Sequence, residues 1–261
     1  MTLFLHELKR NKLALIIWSA AISFMLGICV IIYPEMSAEM GEISDMFANM
    51  GAFSDAFGMD QLNFGEFIGY FATECANTLG LGGSIFAAIL GISALGKEEQ
   101  NHTAEFLLSH PISRANILTS KALSIISQIL IMNLTVMAVT LVCTLAIGEN
   151  TDIGKVLLLF LANIIMQIEI AAICLGISAF LNNGGLGIGI GIAFWLYFIN
   201  IISNLSEELE ILKYITPFGY TDGSNIVSNN TLEIKYLVVG AIFTLIGIAI
   251  AYKKYLSKDI A

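Results

Sequence analysis

VLLLFLANIIMQIEIAAICLGISAFL, residues 156–181, is followed by Asn182-Asn183-Gly184-Gly185 and then by a second apolar run that ends near Ile202. A helix needs about 20 predominantly apolar residues to cross roughly 30 Å of hydrocarbon. Each run meets that length. Lipid cannot hydrogen-bond a bare backbone, so the runs must be helical. Between them Asn and Gly suit a tight polar reversal, because both tolerate positive φ. The stretch predicts two antiparallel membrane helices.

The same reading carried outward gives six spans, at about 13–33, 74–96, 122–147, 156–181, 184–202 and 235–253. The predicted fold is all-α: a polytopic membrane helix bundle with six transmembrane helices, one domain over 1–261. Composition agrees, with 57% hydrophobic and 13% charged residues. A soluble domain carries about 45–50% apolar and about 25% charged residues. Leu13 to Tyr33 is read as a span and not as a cleaved signal, since its far end has no small-residue cleavage pattern. Residues 1–12 read as an amphipathic lead-in bearing Lys9, Arg10 and Lys12.

Basic residues set the expected orientation. One group of loops holds Lys9, Arg10, Lys12, Lys97, Arg114, Lys121, Lys253, Lys254 and Lys258, whereas the other holds only Lys155, Lys213 and Lys235. Positive residues favour the cytoplasmic side. Both termini and the loop 97–121 are therefore expected inside, which requires an even number of spans. The outer segment 34–73 has no Lys or Arg. Its Met36, Met40, Ile43, Phe47 and Met50 recur at helical spacing, which predicts an amphipathic helix on the outer surface. That helix reads as a lid packed on the bundle or as an entrance for an amphiphilic substrate. The second outer excursion, 203–234, carries Glu207, Glu208 and Glu210 before a turn at Pro217 and Gly219, and part of it is a candidate to re-enter the interface.

The segment 97–121 is the most informative polar stretch. It runs Lys97-Glu98-Glu99, then Thr103-Ala104-Glu105-Phe106-Leu107-Leu108-Ser109-His110-Pro111-Ile112-Ser113-Arg114, and ends at Lys121. Thr103 and Ser113 are candidate helix caps, since each hydroxyl can accept from an unpaired backbone amide. The prediction is a short helix across the cytoplasmic face, a break at Pro111, and a return into the third span.

This run resembles the loop between the second and third spans of ABC-2 type transporter permeases. The resemblance extends to the basic amino-terminal helix, the Tyr33-Pro34 exit from span one and the six-span layout. It implies a loop that docks on a separate ATP-hydrolysing subunit. Glu105, Phe106, Leu107 and Leu108 would form the docking helix, with Glu98 beside it, while Pro111, Ser113 and Arg114 would fix the turn into span three. Apolar side chains filling a groove with flanking charges to set register are what a rigid docking contact needs. The bland alternative is a set of interfacial residues at a membrane boundary.

Other candidates are weaker. Gly91 to Lys97 approaches a phosphate-binding loop, but Glu98 stands where a Ser or Thr would hold Mg²⁺, and the stretch ends a membrane helix. The chain is thus expected to bind no cofactor, with ATP and Mg²⁺ held by the partner ATPase. Gly185/Gly189 and Gly187/Gly191 have the four-residue spacing that lets membrane helices approach closely, within the bundle or between subunits. Glu169 lies near the middle of span four, where an acid must face protein or water. Gln128 or Asn133 on span three is its expected partner. Gln167 is nearby in sequence but about 200° away around the helix. Glu74 is expected at the outer start of span two, facing the positive end of the helix dipole. Cys29, Cys75, Cys143 and Cys174 read as apolar fillers. His6, His102 and His110 show no metal-ligand spacing.

The reading that follows is the permease subunit of an ATP-driven exporter, paired with a second copy or a sister permease and with ATPase subunits, in a prokaryotic plasma membrane. Partners are these subunits and membrane lipid; the net charge of −9 speaks against nucleic acid. The cargo class is at most hinted at as an amphiphilic drug or peptide. The alternative is an ion-gradient-driven secondary transporter using Glu169 and Glu74, though the two halves show no matching repeat. A membrane enzyme would need a nucleophile, metal set or carboxylate pair that the sequence does not display.

Overall fold

The computed structural model describes residues 2–37, 51, 56, 62, 65–96, 112–181 and 185–258. The described residues contain no β-strand. A short helix α1 (Thr2–Arg10) leads into six long helices: α2 (Lys12–Ser37), α3 (Phe67–Ile92), α4 (Arg114–Ile147), α5 (Ile153–Ser178), α6 (Leu186–Ser203) and, after a buried excursion, α8 (Ile234–Ser257). All six are long and apolar enough to cross a membrane. The excursion holds two 3₁₀ turns, Glu207–Tyr214 and Pro217–Thr221, and the short helix α7 (Gly223–Asn229).

The bundle has a hub and a rim. The most apolar windows of α3 and α5 are 61% buried, against 22% for α6 and α8. Helix α5 packs on α3 on one side and on α8 on the other, while α2 pairs with α4. The two hub crossings are close because glycine lets backbone meet backbone. A Cβ on Gly91 would stand 2.3 Å from the carbonyl oxygen of Ala171, and one on Gly247 would stand 2.6 Å from that of Ala172. Outward faces carry Ile16, Phe24, Leu134, Leu145, Trp195 and Leu245, all exposed, as suits side chains that meet lipid.

Helix bounds differ from the sequence-based spans at several places. Helix α2 continues through Tyr33-Pro34 to Ser37. Helix α3 begins at Phe67, inside the stretch assigned to the outer segment 34–73, because Phe67, Tyr70 and Phe71 bury against the bundle and continue the helical face. Helix α4 begins at Arg114, as the expected Ser113 cap implies, and so starts eight residues before the apolar span near 122, with the charge of Lys121 neutralised inside the fold. Of the amphipathic stripe, Met36 lies in the last turn of α2, while Met40, Ile43, Phe47 and Met50 lie outside the described residues.

Within α3, Cys75–Leu81 is a π-helix, set between two α-helical stretches. Such wider turns break the regular i→i−4 ladder and are common near functional sites.

Candidate functional site

Two polar regions stand at opposite ends of the bundle. The first is the face that carries both chain ends. There Ser113 accepts from the backbone N–H of Asn116 at 3.2 Å and caps α4, as its type predicts. Arg114 turns inward: its guanidinium donates to the carbonyls of Tyr255 at 3.5 Å and Lys258 at 2.5 Å. Those carbonyls are the open end of α8, whose dipole favours a cation. Arg114 thus ties the start of α4 to the end of α8. Lys258 in turn donates to the Leu181 carbonyl at 3.0 Å, joining α8 to the end of α5.

About two turns past the Ser113 cap, Lys121 meets Glu7 of α1 at 3.1 Å, with both side chains buried. Arg10 lies 3.7 Å from the same carboxylate. A buried charge survives only when paired and hydrogen-bonded. The amphipathic helix α1 is therefore pinned across the base of α4. A void of about 10 Å³ lies among Glu7, Lys121, Ser124 and Gln128, space for about one water.

This face frames the segment singled out from sequence. Glu98, Glu105, Phe106, Leu107, Leu108 and Pro111 lie outside the described residues, as does the candidate cap Thr103. Ser113 and Arg114 are in place, and Arg114 serves the fold's own α8.

The second region is the excursion between α6 and α8. Residues Thr216, Pro217, Phe218, Tyr220, Thr221 and Ser224 are buried, so this polar stretch re-enters the bundle. Thr216 donates its hydroxyl to the Leu196 carbonyl at 2.8 Å. Tyr220 donates to the Glu169 carboxylate at 2.8 Å. Gly240 of α8 leaves the space these two occupy: a Cβ there would stand 2.3 Å from the carboxylate.

The sequence expectation for Glu169 is thereby corrected. Its partner is Tyr220, and neither Gln128 nor Asn133 reaches it. Asn133 donates instead to Gln167 at 2.6 Å, and Gln128 turns back on Ser124 of its own helix. The angular separation of Gln167 and Glu169 sends them to different neighbours. Glu74 is also corrected. It sits at the end of the first α-helical stretch of α3, seven residues past its start, where the Cys29 thiol donates to it at 3.5 Å. It therefore has no helix-start role.

The glycine run divides by face. Gly185 and Gly189 pack inward: Cβ atoms there would meet Ile92 at 3.2 and 2.7 Å. Gly187 and Gly191 face open space, with nothing within 4 Å of an added Cβ. Gly91, in the stretch that mimics a phosphate loop, lies within α3 against α5. Among the described residues no group of three or more His, Cys, Asp or Glu side chains is placed to hold a metal ion.

The sequence that builds these six apolar helices is matched by a family model. Residues 1–260 fit the ABC-2 family transporter protein model. The chain belongs to that family. It is accordingly a multi-pass membrane permease, a transport component of the ABC-2 type and not itself the catalyst. No curated protein matches the chain. What sequence reasoning missed were the partners: Glu7 for Lys121, Tyr220 for Glu169 and the α8 end for Arg114. Each is far away in the chain, and none carries a local signal.

Proposed function

We propose that this ABC-2 permease forms the translocation pathway of an ATP-driven exporter and is coupled through 97–121 to separate ATPase subunits that hold ATP and Mg²⁺. The observation that supports this most is the braced base of α4. The helix that emerges from 97–111 is capped by Ser113, tied to α8 by Arg114 and tied to α1 by Lys121. A push on the segment would reach three helices at once, which is what mechanical coupling requires. The docking contacts are assigned to Glu98, Glu105, Phe106, Leu107 and Leu108, with Pro111 setting the turn.

In this reading the face with both termini is cytoplasmic, in keeping with its Lys and Arg excess. The permease works as a dimer with a second copy or a sister permease in a prokaryotic plasma membrane. The open Gly187/Gly191 face of α6 is available for that pairing.

The test is co-expression with an ABC-type ATPase subunit from the same source, followed by purification and ATP hydrolysis measurements. The native pair should co-elute and hydrolyse ATP. Glu105→Lys and Leu107→Asp should dissociate the pair while inserting normally into the membrane. Intact complexes in both variants would refute the docking assignment.

A further inference from the structure

A cavity lies at the end of the bundle opposite the termini, between the π-helical part of α3, the end of α6 and the re-entrant stretch. It has about 40 Å³ of open space, and its lining includes Asn77, Tyr197, Asn200, Asn204, Phe218, Thr221 and one carboxylate, Asp222. A single water needs about 10–15 Å³ on this measure, so the space takes a small chemical group and not merely one solvent molecule.

The hydrogen bonds define what the cavity offers. Tyr197 donates to the Asn77 side-chain oxygen at 2.9 Å, which leaves the Asn77 amino group without a partner among the described residues. Asn204 donates to the Ala56 carbonyl at 3.3 Å, so its own side-chain oxygen remains an acceptor. The carboxamide of Asn200 makes no side-chain hydrogen bond among the described residues, and it lines the cavity. Three amides therefore present both donors and acceptors. The one carboxylate is already committed. Asp222 accepts from the backbone and hydroxyl of Ser224 at 3.0 and 2.7 Å and pairs with Lys213 at 3.4 Å. Tyr197 and Phe218, edge to face at 5.5 Å, close the apolar side.

The site is built and not incidental. Asn77 is carried on the π-helix, which departs from regular helical register at that point. The floor is pinned from behind by Tyr220 on Glu169 and by Thr216 on α6.

From this geometry we infer that the cavity binds a neutral group rich in hydroxyls or amides, of the kind presented by a sugar or a peptide backbone, and that it takes up the polar part of the transported cargo. The lining has no uncommitted charge to pair with a phosphate, carboxylate or ammonium. It has mixed donors and acceptors beside an aromatic wall, which suits a ring or methyl face beside polar atoms. The cargo role rests on the permease reading above; the binding chemistry does not.

The test uses the full chain in lipid nanodiscs and saturation-transfer NMR with four probes: N-acetylglucosamine, acetamide, choline and acetate. N-acetylglucosamine, acetamide or both should give transfer, and the two charged probes should not. The first alone indicates recognition of hydroxyls, the second alone recognition of an amide. Asn200→Leu, which fills the cavity, should cut the signal at least fivefold, and Asn77→Leu should do the same. Asn200→Gln, which keeps the amide, should retain most of it. Equal transfer from choline or acetate would overturn the proposal, as would silence from both neutral probes or an undiminished signal in a well-folded Asn200→Leu protein. If that variant aggregates, probe selectivity in the native protein still decides. No ATPase is present, so failure here leaves the docking assignment standing, and failed docking leaves these signals intact.

Discussion

The two ends of this bundle are held by different chemistry. At the face with both termini the fastenings are charges: Lys121 on Glu7, and Arg114 on the end of α8. At the opposite end the buried fastenings are neutral or half-neutral: the Thr216 hydroxyl on a carbonyl, amides around a cavity, and Glu169 met by a phenol and not by a cation. The ion pairs there, Lys213 with Asp222 and Lys235 with Glu210 and Glu233, are more exposed than Lys121 with Glu7. Charged pairs buried in protein are rigid because separating them leaves an uncompensated charge. Hydroxyl and amide contacts exchange at lower cost, since a neutral group or water can replace them. The difference agrees with the proposed function, in which force enters at one end and cargo is handled at the other.

The strongest way to break this contrast is at Lys121. Lys121→Met leaves the buried Glu7 with only the longer contact to Arg10 at 3.7 Å and should cost up to about 3–5 kcal/mol. Thermal unfolding of the purified protein should show a large drop in midpoint. Adding Glu7→Gln should recover most of it, because the orphaned charge is then gone. A mild effect of the single substitution would show that α1 is not pinned by this pair.

Tyr220→Phe makes the corresponding cut at the other end. It removes the hydroxyl that meets Glu169 and should cost about 1–3 kcal/mol, less than the Lys121 change. If it costs more, the re-entrant stretch is the firmer of the two ends and the contrast reverses. Ser113→Ala should cost about 1 kcal/mol through loss of the α4 cap. It should also lower coupled ATP hydrolysis, since it loosens the exit of the proposed docking segment.

The smallest effect concerns pH. Tyr236 donates to the Glu210 carboxylate at 2.8 Å and, with Lys235, holds its pKa below the ordinary value. A carboxylate depressed in the folded state adds stability that is present above its unfolded pKa, about 4.3. That stability is lost as pH falls through the lower folded value. Because Glu210 is half exposed, the acid-side loss should be slight, and Tyr236→Phe should flatten it. Unfolding midpoints measured across this acid range check the sign.

Much of the fold was legible because membrane spans announce themselves locally. Twenty apolar residues need no knowledge of a partner, and all six spans are found within several residues of their places. The errors in bounds are instructive. Hydropathy marks where apolar sequence stops, whereas helices α3 and α4 extend past that point for reasons of packing and ion pairing. The Ser113 cap was legible for the same local reason. The tight crossings were not: attention falls on the dense run Gly185 to Gly191, yet the hub contacts use the scattered Gly91 and Gly247. Two of the run's glycines face open space. The partners of Glu169, Lys121 and Arg114 were also hidden, since they lie 51, 114 and 144 residues away in the chain.

The most direct test of the account asks which end meets the ATPase. A photo-crosslinking residue is placed at Asn116, exposed at the base of α4, or at Asn229, exposed at the other end, and the chain is co-expressed with the proposed ATPase partner. The account predicts a crosslinked permease–ATPase product from position 116 and none from position 229. A product from 229, or none from 116 although the complex co-purifies, would contradict it.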